Sequence, residues 1–455
     1  MVHLHARPRR ATAALATAAV LGAVCSAAAF PASASPAPTV GAPRAVVATA
    51  ETPTAFDDDA GGNADADDPA IWVAPKDRSR SLVLGTLKNG GLDAYDLRGR
   101  LVQHVAAPAA PAEGLESSRF NNVDIAAGVR LRGATTDVAV VTDRGRDRLR
   151  FYAIDGSADR PRTSGARGAN ADRRPVLRDI TDPSAPRLFA PDEAAVEEQA
   201  TGYGLAVRPD PAGGLPYVVV SQRHRTTLGL FRLVVTAEGT VSYAPVDDLA
   251  LPSTFRRDEG GTWTPCGEPG EDPQVEGMVV DVRNDVLYAA QEDVGIWRIP
   301  LGRKALGTPT LVERVREFGA PATYDPETEE CTVTGSSPSS GHHLTADAEG
   351  LTIAYGRDGA LTLVASSQGD STFSTFRIGH RWKHLSTFAV ADSTRTDGVQ
   401  HSDGAAVVTT PLGREFPRGL LVVHDGEEAP SSLGDDGEER VGTNFKLLDW
   451  SQVGR

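Results

Sequence analysis

The feature that most constrains the fold of this chain is a short pattern that recurs six times. Each copy places an acidic or polar residue, in most cases with a glycine, directly before an apolar run. The copies are Asp65–Trp72 (DADDPAIW), Asn121–Ile125 (NNVDI), Gly202–Ala206 (GYGLA), Glu276–Val280 (EGMVV), Glu349–Ile353 (EGLTI) and Asp403–Val407 (DGAAV). Such self-similarity indicates a repeat architecture, in which each unit buries its apolar faces on its neighbours.

Each opening pattern is followed by a second apolar run, a polar turn and, in most units, one or two further short runs. The first unit has strand-like runs at residues 70–73, 82–86, 91–96 and 101–105, whereas helical periodicity is confined to Asp192–Gln199. Repeated four-stranded units without intervening helices predict an all-β fold, a six-bladed β-propeller. A β-sandwich is the alternative, but it would not repeat one opening motif six times.

The two ends of the chain differ in composition from the rest. Residues 1–34 combine an arginine-containing start, a small-residue apolar stretch and an Ala-Ser-Ala cleavage pattern, which predict a secretory signal peptide. A membrane anchor is the alternative, although alanine makes this stretch only weakly hydrophobic. Residues 35–54, rich in proline and alanine, are expected to form a flexible lead-in to a single propeller domain at residues 55–455. We therefore expect a secreted, extracellular protein.

The net charge limits the possible binding partners, and the cysteines predict a disulfide. The formal charge is −15, and it becomes −18 without the three arginines of the predicted signal peptide. Such a surface repels nucleic acid and anionic membranes, so neither is an expected partner. Cys266 and Cys331 lie in loop-like, Gly/Pro/Glu-rich stretches. In an oxidising compartment they are expected to form a disulfide between two insertions, with two free thiols as the alternative.

Carboxylates accumulate at the repeated position. In a propeller the innermost strands line one central channel, so equivalent strand ends meet at one mouth. The side chains predicted to meet there from the strand openings are Asp67, Asp68, Asp124, Tyr203, Glu276, Asp347, Glu349 and Asp403. Glu292 follows the second strand of the fourth unit and should lie at the same end. Like charges this close stay ionised only when cations intervene.

The ligand chemistry at the predicted mouth favours calcium. Hard oxygen ligands without clustered cysteine or histidine indicate Ca²⁺ or Mg²⁺, and many carboxylates on flexible loops favour several Ca²⁺ ions. Any one carboxylate could instead be a solvated turn residue or a hydrogen-bond acceptor between blades. That alternative explains a single carboxylate well, but it explains poorly why so many carboxylates occur at the same position of successive units.

A basic trio in the first three units complements these carboxylates. Lys88, Arg144 and Arg223 follow the second strands of their units, so the mouth should be basic on one side and metal-loaded on the other. Phosphate esters fit this polarity, because guanidinium groups bind phosphoryl oxygens in bidentate fashion while metals bind the opposite edge. The three residues could instead be ordinary surface charges.

The same stretches resemble a known family. Asp65–Trp72 and Asn121–Ile125 look like the two signatures of the β-propeller phytases. Further matches follow at Tyr152–Gly156, Glu276–Met278, Asp347–Leu351, Ser366–Gly369, Thr396–Gly398, Ser402–Gly404 and Asn444–Lys446. The resemblance covers roughly residues 65–450. It implies a calcium-dependent 3-phytase that hydrolyses phytate (myo-inositol hexakisphosphate), taken up as its calcium complex, on a monomeric six-bladed propeller.

The resemblance also implies roles for individual residues. The positions matching the calcium-loaded cleavage site are Asp67, Tyr203, Glu276, Glu292, Asp347, Glu349 and Asp403. Those matching phosphate-binding positions are Lys88, Arg144 and Arg223. Those near cleft or structural calcium positions are Asp68, Asp124, Asp397 and Asn444. Three positions depart from the family: Asn89 and Ala126 stand where basic residues are common, and Arg223 replaces a lysine.

The mechanistic hypothesis is metal-assisted hydrolysis. Carboxylate-bound calcium ions would activate a water for in-line attack on phosphorus, with Arg144 offsetting the charge of the transition state. No RHGxRxP-type sequence supports a phosphohistidine route. Two alternatives stay open. A calcium-dependent propeller lactonase or esterase would not need the basic trio, and a non-catalytic propeller would bind phytate or calcium without turnover.

Overall fold

The computed structural model describes residues 42–156, 175–328, 330–356, 358–379, 381–434 and 437–454. The predicted signal peptide at residues 1–34 lies outside the described residues. Within the described part of the chain, no helix reaches the length and apolarity that crossing a membrane requires.

Six sheets, the blades, follow one another along the chain, and the prediction of a six-bladed β-propeller is confirmed. From the channel outward, blade 1 has the strands Pro69–Trp72, Leu82–Thr86, Gly91–Tyr95 and Leu101–Ala106. Blade 2 has Phe120–Leu131, Ala134–Asp143, Arg148–Ile154 and Leu177–Asp179. Blade 3 has Gly202–Arg208, Tyr217–Gln222, Thr227–Val235 and Val241–Ala250.

The second half of the molecule continues the same order. Blade 4 has Val275–Asp281, Val286–Gln291, Gly295–Pro300 and Thr310–Arg314. Blade 5 has Ala348–Tyr355, Leu361–Ser367, Thr372–Ile378 and Lys383–Val390. Blade 6 has Ala405–Val408, Leu420–Asp425 and Gly442–Asp449 from the C-terminal part of the chain.

The N-terminal segment completes the last two blades. Arg44–Val46 pairs in parallel with Lys383–Val390 of blade 5, and Ala50–Glu51 pairs with Gly442–Asp449 as the outer strand of blade 6. Ala55–Phe56 also pairs with Gly442–Asp449. Of the expected flexible lead-in at residues 35–54, residues 35–41 lie outside the described residues. Over residues 42–54 the structure differs from the expectation, because two short strands of this segment are hydrogen-bonded into the sheets of blades 5 and 6.

Apolar faces of neighbouring blades form the core. Trp72 of blade 1 packs in one cluster with Phe120 and Tyr152 of blade 2, and equivalent clusters join the other blades. The junction between blades 6 and 1 is tight, because a Cβ atom at Gly85 would lie 2.2 Å from the buried ring of Phe445. Each such large apolar side chain stabilises the fold by about 1.5–3 kcal/mol.

Helices are short in the described residues. The predicted segment Asp192–Gln199 contains the α-helix Glu193–Glu197, whose first turn is capped by Asp192 accepting from the amide of Ala195 at 3.0 Å. Single 3₁₀ turns lie at Asp59–Gly61, Arg78–Arg80, Arg144–Arg146, Gln368–Asp370 and Trp450–Gln452.

Two insertions beside blade 4 form an accessory unit. The hairpin Phe255–Arg256/Thr262–Trp263 precedes blade 4, and the hairpin Ala322–Asp325/Glu330–Val333 follows it. The predicted disulfide between Cys266 and Cys331 is present and joins these two insertions. A third small hairpin, Ser432–Leu433/Glu439–Arg440, lies within blade 6.

The repeated opening motif has a packing explanation. In blades 2 to 5 the pairing register shifts at the start of the inner strand, a bulge that separates the motif residues from the regular ladder. The glycine after each acidic residue then touches the next blade. A Cβ atom at Gly277 would lie 2.1 Å from the carbonyl oxygen of Glu349, and one at Gly350 would lie 2.5 Å from that of Asp403. The motif therefore sets the spacing of the blades around the channel.

Candidate functional site

Three glutamates converge at the mouth of the channel. Glu276 and Glu349 belong to the inner strands of blades 4 and 5, and Glu292 directly follows the second strand of blade 4. One carboxylate oxygen of each lies within 4.8 Å of those of the other two, and all three residues are buried. Burial raises the pKa of Glu349 and of Glu292 well above the usual range, and the neighbouring carboxylates, including Glu276, raise it further.

Aspartates from three other positions surround this cluster. Burial raises the pKa of Asp67, Asp347 and Asp403, to about 6 for Asp347. The carboxylates of Glu276 and Asp403 raise the pKa of Asp67 and Asp347 further, so the predicted acidic residues interact electrostatically across blades. Gln368 donates a hydrogen bond from Nε2 to Oδ1 of Asp403.

Asp293 is an acidic member of this group that the sequence analysis missed. It follows Glu292 directly, and burial together with the carboxylate of Asp347 raises its pKa to about 8. The adjacent Glu-Asp pair after the second strand of the fourth unit was the signal that could have identified it.

Tyr203 lies between the acidic and the basic sides of the mouth. Its hydroxyl hydrogen-bonds to Glu276, and this bond lowers the pKa of that glutamate against the larger effect of burial. The guanidinium carbon of Arg144 lies 5.6 Å from the centre of the Tyr203 ring, within range of a cation–π contact.

The basic trio is also at the mouth. Lys88 Nζ lies 3.8 Å from Oδ1 of Asp67 and 3.7 Å from Oδ2 of Asp65. Arg144 donates from Nη2 to Oε1 of Gln199 at 3.1 Å, and Arg223 donates from Nη1 to the same oxygen at 2.8 Å. Gln199, which the sequence analysis did not single out, therefore orients both arginines.

Asn121 connects the two sides. Its Nδ2 donates to Oε1 of Glu276 at 2.7 Å, and its Oδ1 accepts from Nη1 of Arg144 at 3.0 Å. Asn121 lies in the repeated motif, where the sequence alone indicated no role for its side chain. Its amide group joins a carboxylate that could bind metal to a guanidinium that could bind phosphate.

The acidic cluster fits a divalent cation. Oδ2 of Asp67 and Oε2 of Glu349 are buried and have no hydrogen-bond partner among the described residues. Hard oxygen donors of this kind suit Ca²⁺ or Mg²⁺, and a buried carboxylate oxygen without a partner is costly unless a cation or proton binds it. The residues that could hold such ions are Asp67, Glu276, Glu292, Asp347, Glu349 and Asp403.

Asp68 and Asp124 lie between the inner strands of the blades, and the charge of Glu276 still acts on Asp68 by raising its pKa beyond the effect of burial. Both line a cavity of about 160 Å³ between the inner strands. Asp68 accepts from the amide of Val123 at 3.1 Å, and Asp124 accepts from the amide of Val207 at 2.8 Å. Each carboxylate thus bonds to the next blade, the role that the sequence left open as the alternative to metal binding.

Asp397 and Asn444 belong to a second acidic cluster, near the N-terminal strands. Its carboxylates surround the ammonium group of Lys446, whose side chain is 0% exposed. Lys446 Nζ lies 2.9 Å from Glu51 and 2.8 Å from Glu428, and it also pairs with Asp397. Burial lowers the pKa of Lys446, but the hydrogen bonds to these carboxylates outweigh that effect and raise it. One carboxylate oxygen each of Glu51, Asp397 and Glu428 lies within 4.8 Å of those of the other two, so the group could also hold a metal ion, and calcium binding by Asp397 and Asn444 stays a prediction.

The chain is similar to proteins of one family. The family described as Phytase matches residues 11–182 and 323–455. The "3-phytase" of Bacillus subtilis (strain 168) is 28% identical over 411 residues, which cover 90% of this chain and 84% of that protein.

Two solved structures are distant neighbours. The allergen Mala s 1 of Malassezia sympodialis has a TM-score of 0.38 at 13% identity, covering 86% of this chain and 94% of the other. The β-propeller domain of Cps50 (Swd1) from Myceliophteria thermophila has a TM-score of 0.33 at 10% identity, covering 84% and 83%. Similarity at this level supports no argument about function.

Proposed function

The chain belongs to the Phytase family, and from this we propose that it hydrolyses phytate to release inorganic phosphate, with Ca²⁺ ions at the channel mouth as its cofactor. The observation that carries the proposal is the hydrogen-bonded link from Glu276 through Asn121 to Arg144. It joins a cluster of carboxylates to a cluster of cations, which is the polarity that a metal-bound phosphate ester requires.

Metal-dependent chemistry is supported by the partnerless oxygens of Asp67 and Glu349. We assign the cations to Asp67, Glu276, Glu292, Asp347, Glu349 and Asp403. When bound, divalent ions would supply Lewis-acid activation of water and neutralise phosphoryl charge. Calcium is our choice over magnesium because many carboxylates on loops and strand ends suit its larger and more flexible coordination shell.

Side chains of the protein would bind the substrate and stabilise the transition state. Arg144 and Arg223, both oriented by Gln199, would bind phosphoryl oxygens and stabilise the charge that develops in the transition state. Lys88 would add a third cation from blade 1. The Tyr203 hydroxyl would hold Glu276 ionised and in place. Phosphoryl transfer depends mainly on positioning and electrostatic stabilisation, which these groups provide.

We also propose that the enzyme is secreted, that it acts as a monomer and that its substrate is the calcium complex of phytate. Residues 1–34 would direct secretion, and the Cys266–Cys331 disulfide is typical of an oxidising, extracellular compartment. One chain supplies all six blades of the ring, which supports a monomer with a single catalytic domain. The substrate would be the calcium complex of phytate, because its reduced charge suits a protein with a formal charge of −15.

One experiment tests this proposal directly. The full-length protein is incubated with phytate over a series of calcium concentrations, and inorganic phosphate is measured. We expect release that rises with calcium and stops when a chelator is added. Release that is insensitive to the chelator would exclude essential metal. No release at any calcium concentration would reject phytase activity, and hydrolysis of a lactone substrate instead would favour a propeller lactonase.

A further inference from the structure

Hydroxyl side chains on the second strands of blades 1, 2 and 3 hold the motif at the start of the inner strands. The three residues are Thr86, Thr142 and Ser221. Each hydroxyl accepts from the amide of a motif residue in its own blade, at 3.1, 3.0 and 2.9 Å respectively. These bonds satisfy backbone groups where the regular pairing of the inner strand is interrupted or has not yet begun.

Blade 6 has a histidine, His424, at the position that Thr86 occupies in blade 1, one residue beyond the partner of the first inner-strand residue. Nδ1 of His424 accepts from the amide of Asp403 at 3.0 Å. The hydroxyl of Thr86 accepts from the residue directly before the inner strand, which in blade 6 is Gly404. Because an imidazole ring is larger than a hydroxyl group, His424 reaches the acidic residue of the motif itself.

This hydrogen bond defines the protonation of the ring. A backbone N–H only donates, so Nδ1 of His424 carries no proton, the imidazole is neutral and its ring proton is on Nε2. The side chain is 3% exposed, and Nε2 is buried with no hydrogen-bond partner among the described residues. A buried N–H without a partner costs free energy. The favourable contributions of this side chain therefore come from Nδ1 and from ring packing against Phe445, at 6.2 Å between ring centres.

Asp403 is held from two blades. Its carbonyl accepts from the amide of Gly350 in blade 5 at 2.6 Å, and its Oδ1 accepts from Gln368, which directly follows the second strand of that blade. The inner strand of blade 6 begins only at Ala405, so Asp403 lies outside the ladder of its own blade. The bond to His424 takes the place of strand pairing and fixes the amide of Asp403 to blade 6.

We propose that His424 is a positioning residue for Asp403, whose backbone it holds so that the carboxylate points into the acidic cluster where a divalent cation would bind. The inference rests on the proposed function, since it concerns the same metal site. A neutral acceptor suits this position. Nδ1 of His424 lies only 3.5 Å from Oδ2 of Asp403, so a cationic side chain here would compete with the metal for that oxygen.

The test measures calcium binding to the full-length protein by titration calorimetry without phytate. His424→Leu fills much of the space of the ring but offers no acceptor, so the apparent calcium affinity should fall about tenfold. His424→Asn keeps an oxygen near the position of Nδ1, and its affinity should stay within about threefold of wild type. The matched control is His104→Leu, which removes a 47% exposed imidazole from the outer strand of blade 1 and should change the affinity less than about twofold.

Melting temperatures without metal separate positioning from packing. Leucine retains most of the contact of His424 with Phe445, whereas asparagine leaves a cavity beside that ring. His424→Asn should therefore melt at a lower temperature than His424→Leu, although it binds calcium more tightly. A residue that only stabilised the fold would give the same order for both quantities. Calcium affinities that follow the melting temperatures would overturn the inference.

A double-mutant cycle tests whether His424 acts through Asp403. Asp403→Asn should weaken calcium binding by itself, because it removes a metal-binding charge. In that background His424→Leu should lower the affinity less than about twofold further, since the carboxylate that it positions is already absent. A further loss of about tenfold would show that the two residues act independently, and the inference would fail.

Phosphate release from phytate, measured on the same proteins, separates this inference from the proposed function. If wild type binds calcium but releases no phosphate, the proposed function fails and the calcium affinities alone decide the role of His424. If His424→Leu binds calcium as tightly as wild type, the inference fails while the proposed function stands. A wild type that binds no calcium would overturn both the inference and the assignment of calcium as cofactor.

Discussion

At the level of single residues, the site depends on neutral side chains that hold charged ones. Asn121 bonds to Glu276 and to Arg144 at once, and Gln199 accepts from two arginines. Neutral groups can orient a carboxylate or a guanidinium without cancelling its charge. The charges therefore stay available for metal on one side and for phosphate on the other.

The first prediction concerns the charge of one glutamate. Glu276→Gln keeps the size of the side chain and an oxygen that can accept from Asn121, but it removes a metal-binding charge. Phosphate release from phytate should fall more than about a hundredfold, because an uncharged amide binds Ca²⁺ poorly. Thermal unfolding without metal should not shift downward, since the substitution relieves repulsion within the acidic cluster.

The control for this variant is Glu415→Gln. It removes the same charge from an exposed ion pair with Arg98 and should leave phosphate release unchanged. Full activity of a folded Glu276→Gln protein would contradict the assigned role.

At the level of elements, the acidic residue and the glycine of each motif have separate functions. The acidic side chain faces the channel mouth, while the glycine gives the backbone of the next blade room to approach. Gly277 touches the carbonyl of Glu349, and Gly350 touches that of Asp403. Because these contacts link blade to blade, a change at one glycine displaces the acidic residue of its neighbour.

The second prediction follows from this contact. In Gly277→Ala the new methyl group would lie 2.1 Å from a backbone oxygen, which cannot move as a flexible side chain can. We expect a loss of at least about 2 kcal/mol in the free energy of unfolding, measured by chemical denaturation. Phosphate release should fall as well, because Glu349 is displaced.

The matched control is Gly267→Ala, since no atom lies within 4 Å of a Cβ built at Gly267. Its free energy of unfolding should stay within about 0.5 kcal/mol of wild type. Equal stability of the two alanine variants would refute the packing role of the motif glycine.

At the level of the whole molecule, closure of the ring uses both ends of the chain. Blade 6 takes its inner three strands from the C-terminal part and its outer strand, Ala50–Glu51, from the N-terminal part. Thr52 accepts from the amide of Phe445 at 3.0 Å, and Glu51 bonds to the buried Lys446. The ring is therefore closed both by β-sheet hydrogen bonds and by a buried cluster of oppositely charged side chains.

The third prediction tests this closure by deletion. Removing residues 1–52 deletes two outer strands and leaves Lys446 with one carboxylate fewer. We expect the melting temperature to fall by at least about 5 °C relative to a protein lacking only residues 1–41. Equal melting temperatures for the two truncated proteins, measured by calorimetry, would show that the N-terminal strands do not stabilise the ring.

The fourth prediction concerns pH and metal. Burial raises the pKa of Asp347 to about 6 and that of Asp293 to about 8, whereas an aspartate in the unfolded chain titrates near 4. Without metal, the folded protein therefore binds more protons than the unfolded chain between about pH 4 and pH 8. Its free energy of unfolding should fall as pH rises through that window.

Calcium should reverse this trend, because cations replace the protons and bind only the folded state. The measurement is the melting temperature at pH 5, 6, 7 and 8, with chelator and with added calcium. A melting temperature that rises with pH in chelator, or that calcium leaves unchanged at pH 8, would contradict the prediction.

The sequence by itself determined the six-fold repeat and the prediction that the acidic residues meet. Motif spacing and strand periodicity are local properties, and closure of any six-bladed ring brings equivalent strand ends, with their acidic residues, to one mouth. Only the tertiary structure decided which charges face one another. Lys446 lies 395 residues from its partner Glu51 along the chain, and Asp68 and Asp124 bond to neighbouring blades that no local pattern identifies. The same holds for the N-terminal strands and for the amides that hold Arg144 and Arg223. These contacts join segments distant in sequence, and their geometry exists only once the ring has closed.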